Sequence, residues 1–112
     1  MDREEKTERM KRLDMIQRMV PVTEVLAGLA EECAELSQAA LKLRRVLDGT
    51  NPTPVAERRA IIMLHEEIAD VLLYMDVLGD MLDLDIVDKI SNATERRWAM
   101  RLESAETEVN GT

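Results

Sequence analysis

Two long apolar stripes of helical period flank the chain's one strong turn cluster, and that pairing limits the fold more than any other feature. In 22–48, Val22, Leu26, Leu29, Cys33, Leu36, Ala40, Leu43 and Leu47 recur at steps of three and four residues. In 55–82, Ile61, Leu64, Ile68, Val71, Met75, Leu78 and Leu82 do the same, as one face of an α-helix requires. Between them stand Asp48, Gly49, Thr50, Asn51, Pro52, Thr53 and Pro54. Gly49 suits a helix C-terminus, Thr53 an N-cap and Pro54 a first helical position. Pro21 sets off a charged first segment carrying Met10, Leu13, Ile16 and Val20, and Asp85 offers a cap for a last segment with Val87, Ile90, Thr94, Trp98 and Leu102. No segment alternates as a half-buried strand does. The spacing predicts an all-α fold with helices over about 4–19, 22–48, 55–82 and 85–104. It forms one domain over 1–106, followed by a disordered tail, 107–112.

Composition narrows the function classes. The chain of 112 residues has 15 Lys and Arg against 23 Asp and Glu, a formal charge of -8. That excess argues against a nucleic acid polymer as partner, because phosphate backbones are held by Lys and Arg. A single cysteine, Cys33, and a single histidine, His65, exclude an internal disulfide and a zinc site of the Cys/His type within one chain. No apolar run suffices for a membrane span, and the N-terminal segment lacks the apolar core of a signal peptide. The expectation is a cytoplasmic protein that does not engage a membrane. Cys33 lies on the apolar stripe and is expected in the core.

The 55–82 helix carries more than its stripe. Ile62, Met63, Leu73, Tyr74, Val77 and Met81 extend its apolar surface most of the way round, and a helix of that kind is buried on more than one side. A homo-oligomeric bundle, homodimer or homotetramer, is therefore expected, with this helix near the interface.

A short internal repeat is the informative chemical signal. Leu29-Ala30-Glu31-Glu32-Cys33-Ala34-Glu35-Leu36 aligns without gaps on Leu64-His65-Glu66-Glu67-Ile68-Ala69-Asp70-Val71. Glu32 and Glu35 flank one stripe, and Glu67 and Asp70 hold the same phase beside the other. If the two helices form an antiparallel hairpin, Glu35 with Glu67 and Glu32 with Asp70 share one midpoint, position 51, the centre of the turn cluster. Four carboxylates then arrive at one place. Their mutual repulsion weighs heavily in a domain whose net stability is about 5–15 kcal/mol. A bound cation, protonation or solvent exposure must relieve it. An all-oxygen donor set suits Mg²⁺ first and Mn²⁺ second. A carboxylate di-iron bundle would need Glu-x-x-His on two helices; His65 has Ile62 and Ile68 at that spacing and is not expected to be a ligand.

Glu31-Glu32-x-x-Glu35 followed by Glu67-x-x-Asp70 resembles the EExxE…ExxD signature of the MazG-like, all-α nucleoside triphosphate pyrophosphohydrolases, over about 22–97. The resemblance implies Mg²⁺-dependent cleavage of an NTP or dNTP between the α- and β-phosphates, giving a monophosphate and pyrophosphate, in nucleotide-pool housecleaning. It implies Glu32, Glu35, Glu67 and Asp70 as metal ligands, and Glu31 or Glu35 as the group serving the attacking water. It also implies Lys89, Asn92 and Arg96 as phosphate contacts. Two departures stand out: the 31 residues between Glu35 and Glu67 are at the long end for such proteins, and Tyr74 and Trp98 are the only aromatic residues, which leaves the base unassigned. The competing expectations are a non-catalytic dimeric helical interaction module and a relative that binds nucleotides without cutting them.

Overall fold

The computed structural model describes residues 1–50 and 55–110, and among them all regular structure is helical. Four α-helices follow in order: α1 (Arg3–Met19), α2 (Val22–Asp48), α3 (Glu57–Leu78) and α4 (Leu84–Asn110), with a 3-10 turn at Gly79–Met81. The chain divides into two compact units, Met1–Gly79 and Asp80–Thr112. No described helix is long and apolar enough to cross a membrane.

Local chemistry explains most of the helix ends. Asp2 caps α1 by accepting from the Glu5 amide at 2.8 Å. Pro21 starts α2, its carbonyl accepting from the Glu24 and Val25 amides. Gly49 ends α2 in the left-handed region, φ 77, with its N–H donated to the Arg45 carbonyl, as expected of a glycine past a helix end. Thr53 and Pro54 lie outside the described residues; α3 starts with Ala56 at its N-cap and no side-chain cap. At the last break the cap is Asp83, not Asp85. Its Oδ1 accepts from the Asp85 and Ile86 amides at 3.1 and 3.2 Å, because an N-cap side chain must precede the amides it satisfies. α3 stops at Leu78, short of residue 82, since Gly79 turns to φ 54. α4 runs past residue 104 to Asn110, through much of the segment expected to be tail.

In the first unit, α3 packs against both α2 and α1. The seam between α2 and α3 follows a heptad. Among the buried or half-buried residues, Val25, Leu29, Glu32, Leu36, Ala39, Leu43 and Val46 form one row on α2, and Ala60, Leu64, Glu67, Val71, Tyr74 and Leu78 form one on α3. Steps of four and three alternate throughout, the spacing of side chains that interdigitate between two helices. The expected α2 stripe is thus partly corrected. Leu29, Leu36 and Leu43 are in the seam, whereas Val22, Leu26, Cys33, Ala40 and Leu47 are exposed. The physical reason is rotation: a seam centred on Val25, Glu32 and Ala39 turns the next residue along each time, including Leu26, Cys33 and Ala40, by about 100° away from α3.

One contact sets how closely the helices approach. A Cβ at Gly28 would collide with the Tyr74 ring, so the bare backbone of α2 is what admits that side chain. Gly28 and Tyr74 share position 51 as midpoint, and so do the buried Val25 and Val77. Polar contacts hold α1 to α3. Arg9 pairs with Asp76 at 3.0 Å, and the Gln17 amide donates to the Val77 carbonyl at 3.1 Å.

In the second unit no residue of α4 is buried. Its row Val87, Ile90, Trp98 and Leu102 is exposed, Trp98 by 59%.

Candidate metal centre

The hairpin register carries the carboxylates with it. Glu32, Glu35, Glu67 and Asp70 each present an oxygen, and these four atoms all lie within 4.8 Å of one another. The members are not equivalent. Glu32 and Glu67 are heptad positions within the seam and are half-buried, while Glu35 and Asp70 stand on its exposed flank. The repeat therefore places one acid of each helix inward and one outward, where the sequence pattern had put all four at the edge of the core.

The inner pair lacks compensation. One carboxylate oxygen of Glu32 and one of Glu67, Oε2 in both, are buried with no hydrogen-bond partner. Among the described residues the ion pairs are Arg9–Asp76, Lys11–Glu8 and Arg18–Asp14, so no Lys or Arg forms an ion pair with the cluster. Burial, first, pushes the Glu32 carboxyl above its ordinary value, and the charges of Glu35 and Asp70 add to it. Glu67 is raised for the same reasons, burial first and then Glu35. The nearness of Glu35 favours a proton on either one, because two carboxylates can hydrogen-bond only when one holds a proton. A buried acceptor without a donor is costly; a cation with empty coordination positions supplies what these oxygens lack. The donor set is oxygen throughout, which fits a hard divalent ion.

The remaining expected site residues are not members of the four-carboxylate group. Glu31 is exposed on α2 and outside the four-carboxylate group. Lys89, Asn92 and Arg96 are exposed on α4, in the second unit. His65 is exposed, with Nδ1 2.8 Å from the Ile61 carbonyl of its own helix. A carbonyl only accepts, so Nδ1 carries the proton there. Cys33, expected in the core, is exposed beside Glu32 in sequence.

Comparison of the chain with protein-family models, with curated proteins and with solved structures found no match.

One set of residues was not singled out by the motif. An open cavity of about 610 Å³ adjoins the cluster, and Gln38, Lys42, Arg45 and Met63 line it together with Glu35 and Glu67. The signal was present in the spacing: Gln38, Lys42 and Arg45 continue the helical phase of Glu35 along α2.

Proposed function

We propose that the protein is a Mg²⁺-dependent nucleoside triphosphate pyrophosphohydrolase that releases a monophosphate and pyrophosphate. The observation that carries this reading is the set of four converging carboxylates, in no ion pair among the described residues and with two buried oxygens lacking partners. The resemblance of Glu31-Glu32-x-x-Glu35 and Glu67-x-x-Asp70 to the EExxE…ExxD signature supplies the reaction.

Glu32, Glu35, Glu67 and Asp70 would hold the metal, Mg²⁺ or Mn²⁺. When bound, such an ion offsets the repulsion between the acids and the phosphates and lowers the pKa of coordinated water. The chain's own residues do the rest. Glu32 and Glu67, fixed in the seam between packed side chains, hold their carboxylates in place; Glu35, on the open flank, takes up the proton of the water that attacks the α-phosphorus. Glu31 is a second candidate for that proton, through water, from the adjacent exposed surface. As the new P–O bond forms, the bond from the α-phosphorus to the bridging oxygen breaks, and pyrophosphate departs with that oxygen. Lys89, Asn92 and Arg96 are the phosphate contacts implied by the resemblance. No Ser, Thr or Cys is needed as a nucleophile.

The protein would act as a homodimer or homotetramer. The exposed apolar row on α4, together with Ile62, Leu72 and Leu73 on α3, supports self-association, since exposed apolar rows of this length mark interfaces. The same row favours the second reading, a non-catalytic helical interaction module. A panel of standard and modified NTPs and dNTPs with Mg²⁺, assayed for monophosphate and pyrophosphate, decides between them. Pyrophosphate from at least one nucleotide supports the enzyme, orthophosphate as the direct product rejects the bond assignment, and inertness toward the whole panel favours the module.

A further inference from the structure

The groove beside the carboxylates is asymmetric in charge. Glu35, Gln38, Lys42 and Arg45 share one face of α2, and all four line the same cavity with Met63 and Glu67 of α3. The acids stand at one end; the two cations stand toward the α2 C-terminus. Lys42 begins about 10 Å along the helix axis from Glu35, at about 1.5 Å per residue. Helical side chains lean toward the N-terminus of their helix, so Lys42 and Arg45 lean back toward the acids. Even so, neither belongs to an ion pair among the described residues. Arg45 is exposed and its charge also acts on Asp48, at the end of the same helix. Lys42 is half-buried and has no such second partner.

A groove with acids at one end and unpaired cations at the other is complementary to an elongated ligand of the opposite polarity: a polyanion whose one end is covered by a metal ion. An anion near a helix C-terminus is disfavoured by the macrodipole, so its retention there depends on the two cations. We propose that Lys42 and Arg45 hold the pyrophosphate portion of the triphosphate, so that the substrate lies along α2 with its leaving group toward the α2 C-terminus. This rests on the reading of the carboxylate cluster as a nucleotide-hydrolysing metal centre. Neither residue is part of the EExxE…ExxD pattern, and both are in the same compact unit as the cluster.

The test is calorimetric titration of inorganic pyrophosphate, with Mn²⁺ present, into the full chain and its variants. Lys42→Met keeps the apolar stem that packs in the groove and removes the charge; Arg45→Met alters an exposed position and leaves folding intact. Arg44→Met removes an equal charge from a residue that lines a different cavity, and serves as the control. Each groove variant is expected to weaken pyrophosphate binding by about tenfold, the loss of one charged hydrogen bond, and the double variant by more. Arg44→Met should change it less than about twofold, and Mn²⁺ alone should bind all forms equally. Pyrophosphate affinity that is the same in wild type and Lys42→Met/Arg45→Met overturns the assignment and leaves the hydrolase reading standing. Failure of the wild type both to bind Mn²⁺ and to hydrolyse any nucleotide removes the reading beneath it, and the assignment with it.

Discussion

Two levels of one hairpin, built from the same two helices in the same heptad, are filled in opposite ways. At the level of Gly28 and Tyr74 a ring lies against bare backbone, leaving no room for a methyl group. One turn on, at Glu32, Glu35, Glu67 and Asp70, four carboxylates converge and two of their oxygens are buried without partners. The difference shows how a polar centre can persist in a small helical protein. Close packing at one level sets the separation and register of the helices, and the neighbouring level can then hold groups that would not choose to be together. The acids do not organise the hairpin; they are carried into place by it.

Removing an acid from the open flank should have the largest effect. Glu35→Gln or Asp70→Asn should reduce Mg²⁺-dependent pyrophosphate release by at least about 10²-fold, the scale seen when one preorganised electrostatic group is lost. Helicity by circular dichroism should be unchanged, because both positions are exposed. Unchanged turnover in both variants would sink the ligand assignment.

The inner acids should separate stability from metal binding. In wild type, Mg²⁺ or Mn²⁺ should raise the melting temperature, by an amount corresponding to about 2.7 kcal/mol at a free metal concentration of about 100 Kd. Glu67→Gln should lose that response and, without metal, melt at or above the wild-type temperature, since a charge confined beside like charges has gone. The pH dependence has a definite sign. Glu32 and Glu67 have folded-state values raised above the ordinary 4.5, so the metal-free folded chain binds more protons than the unfolded chain in the window above 4.5. Their contribution to stability is therefore largest below that window and falls as pH rises through it. Asp48, lowered by its hydrogen bonds from Thr50, acts in the opposite direction, its contribution being lost as pH falls. Melting curves with EDTA across this range should show a flatter profile for Glu32→Gln/Glu67→Gln than for wild type, and an unaltered slope would contradict the burial of these groups.

The packed level predicts a reversal of sign. Gly28→Ala introduces a Cβ into the Tyr74 ring, an overpacking penalty of about 1–3 kcal/mol, offset by about 1 kcal/mol of helix propensity. Denaturant titration should show a net loss in the wild-type background. With Tyr74→Leu the clash is relieved, and the same substitution should stabilise by up to about 1 kcal/mol. Additive effects in this double-mutant cycle would mean that Gly28 and Tyr74 are not neighbours.

At the end of α2 the expected effect is on stability alone. Gly49 has φ 77 and open space about its Cβ position, so Gly49→Ala meets only backbone strain, a cost of about 1–2 kcal/mol. Nucleotide turnover per folded molecule should be unaffected, in contrast to any substitution that shifts the Gly28–Tyr74 register.

Much of this was legible in the chain. The helical period and Gly49 are local properties, and the breaks at Pro21 and the turn cluster follow from backbone chemistry. The equal phase of Glu32-x-x-Glu35 and Glu67-x-x-Asp70, with a shared midpoint at position 51, singles out the four carboxylates by spacing alone. Capping was read less well. Asp83 and Asp85 are chemically identical candidates two residues apart, and only the direction of the amides distinguishes them. Cys33 and Leu26, expected on the buried stripe from apolar spacing, are exposed, because the seam runs through Glu32 and not through the apolar residue beside it.

Period and spacing specify the four helices, their approximate breaks and the pairing of the two acidic motifs. Tertiary structure decided the rotation of α2 about its axis, and with it which acids face inward, which oxygens lose their partners, and which cations share the groove. A period of three and four residues leaves the facing stripe free to turn by one position. Only a contact between helices, here the Tyr74 ring on the backbone of Gly28, removes that freedom.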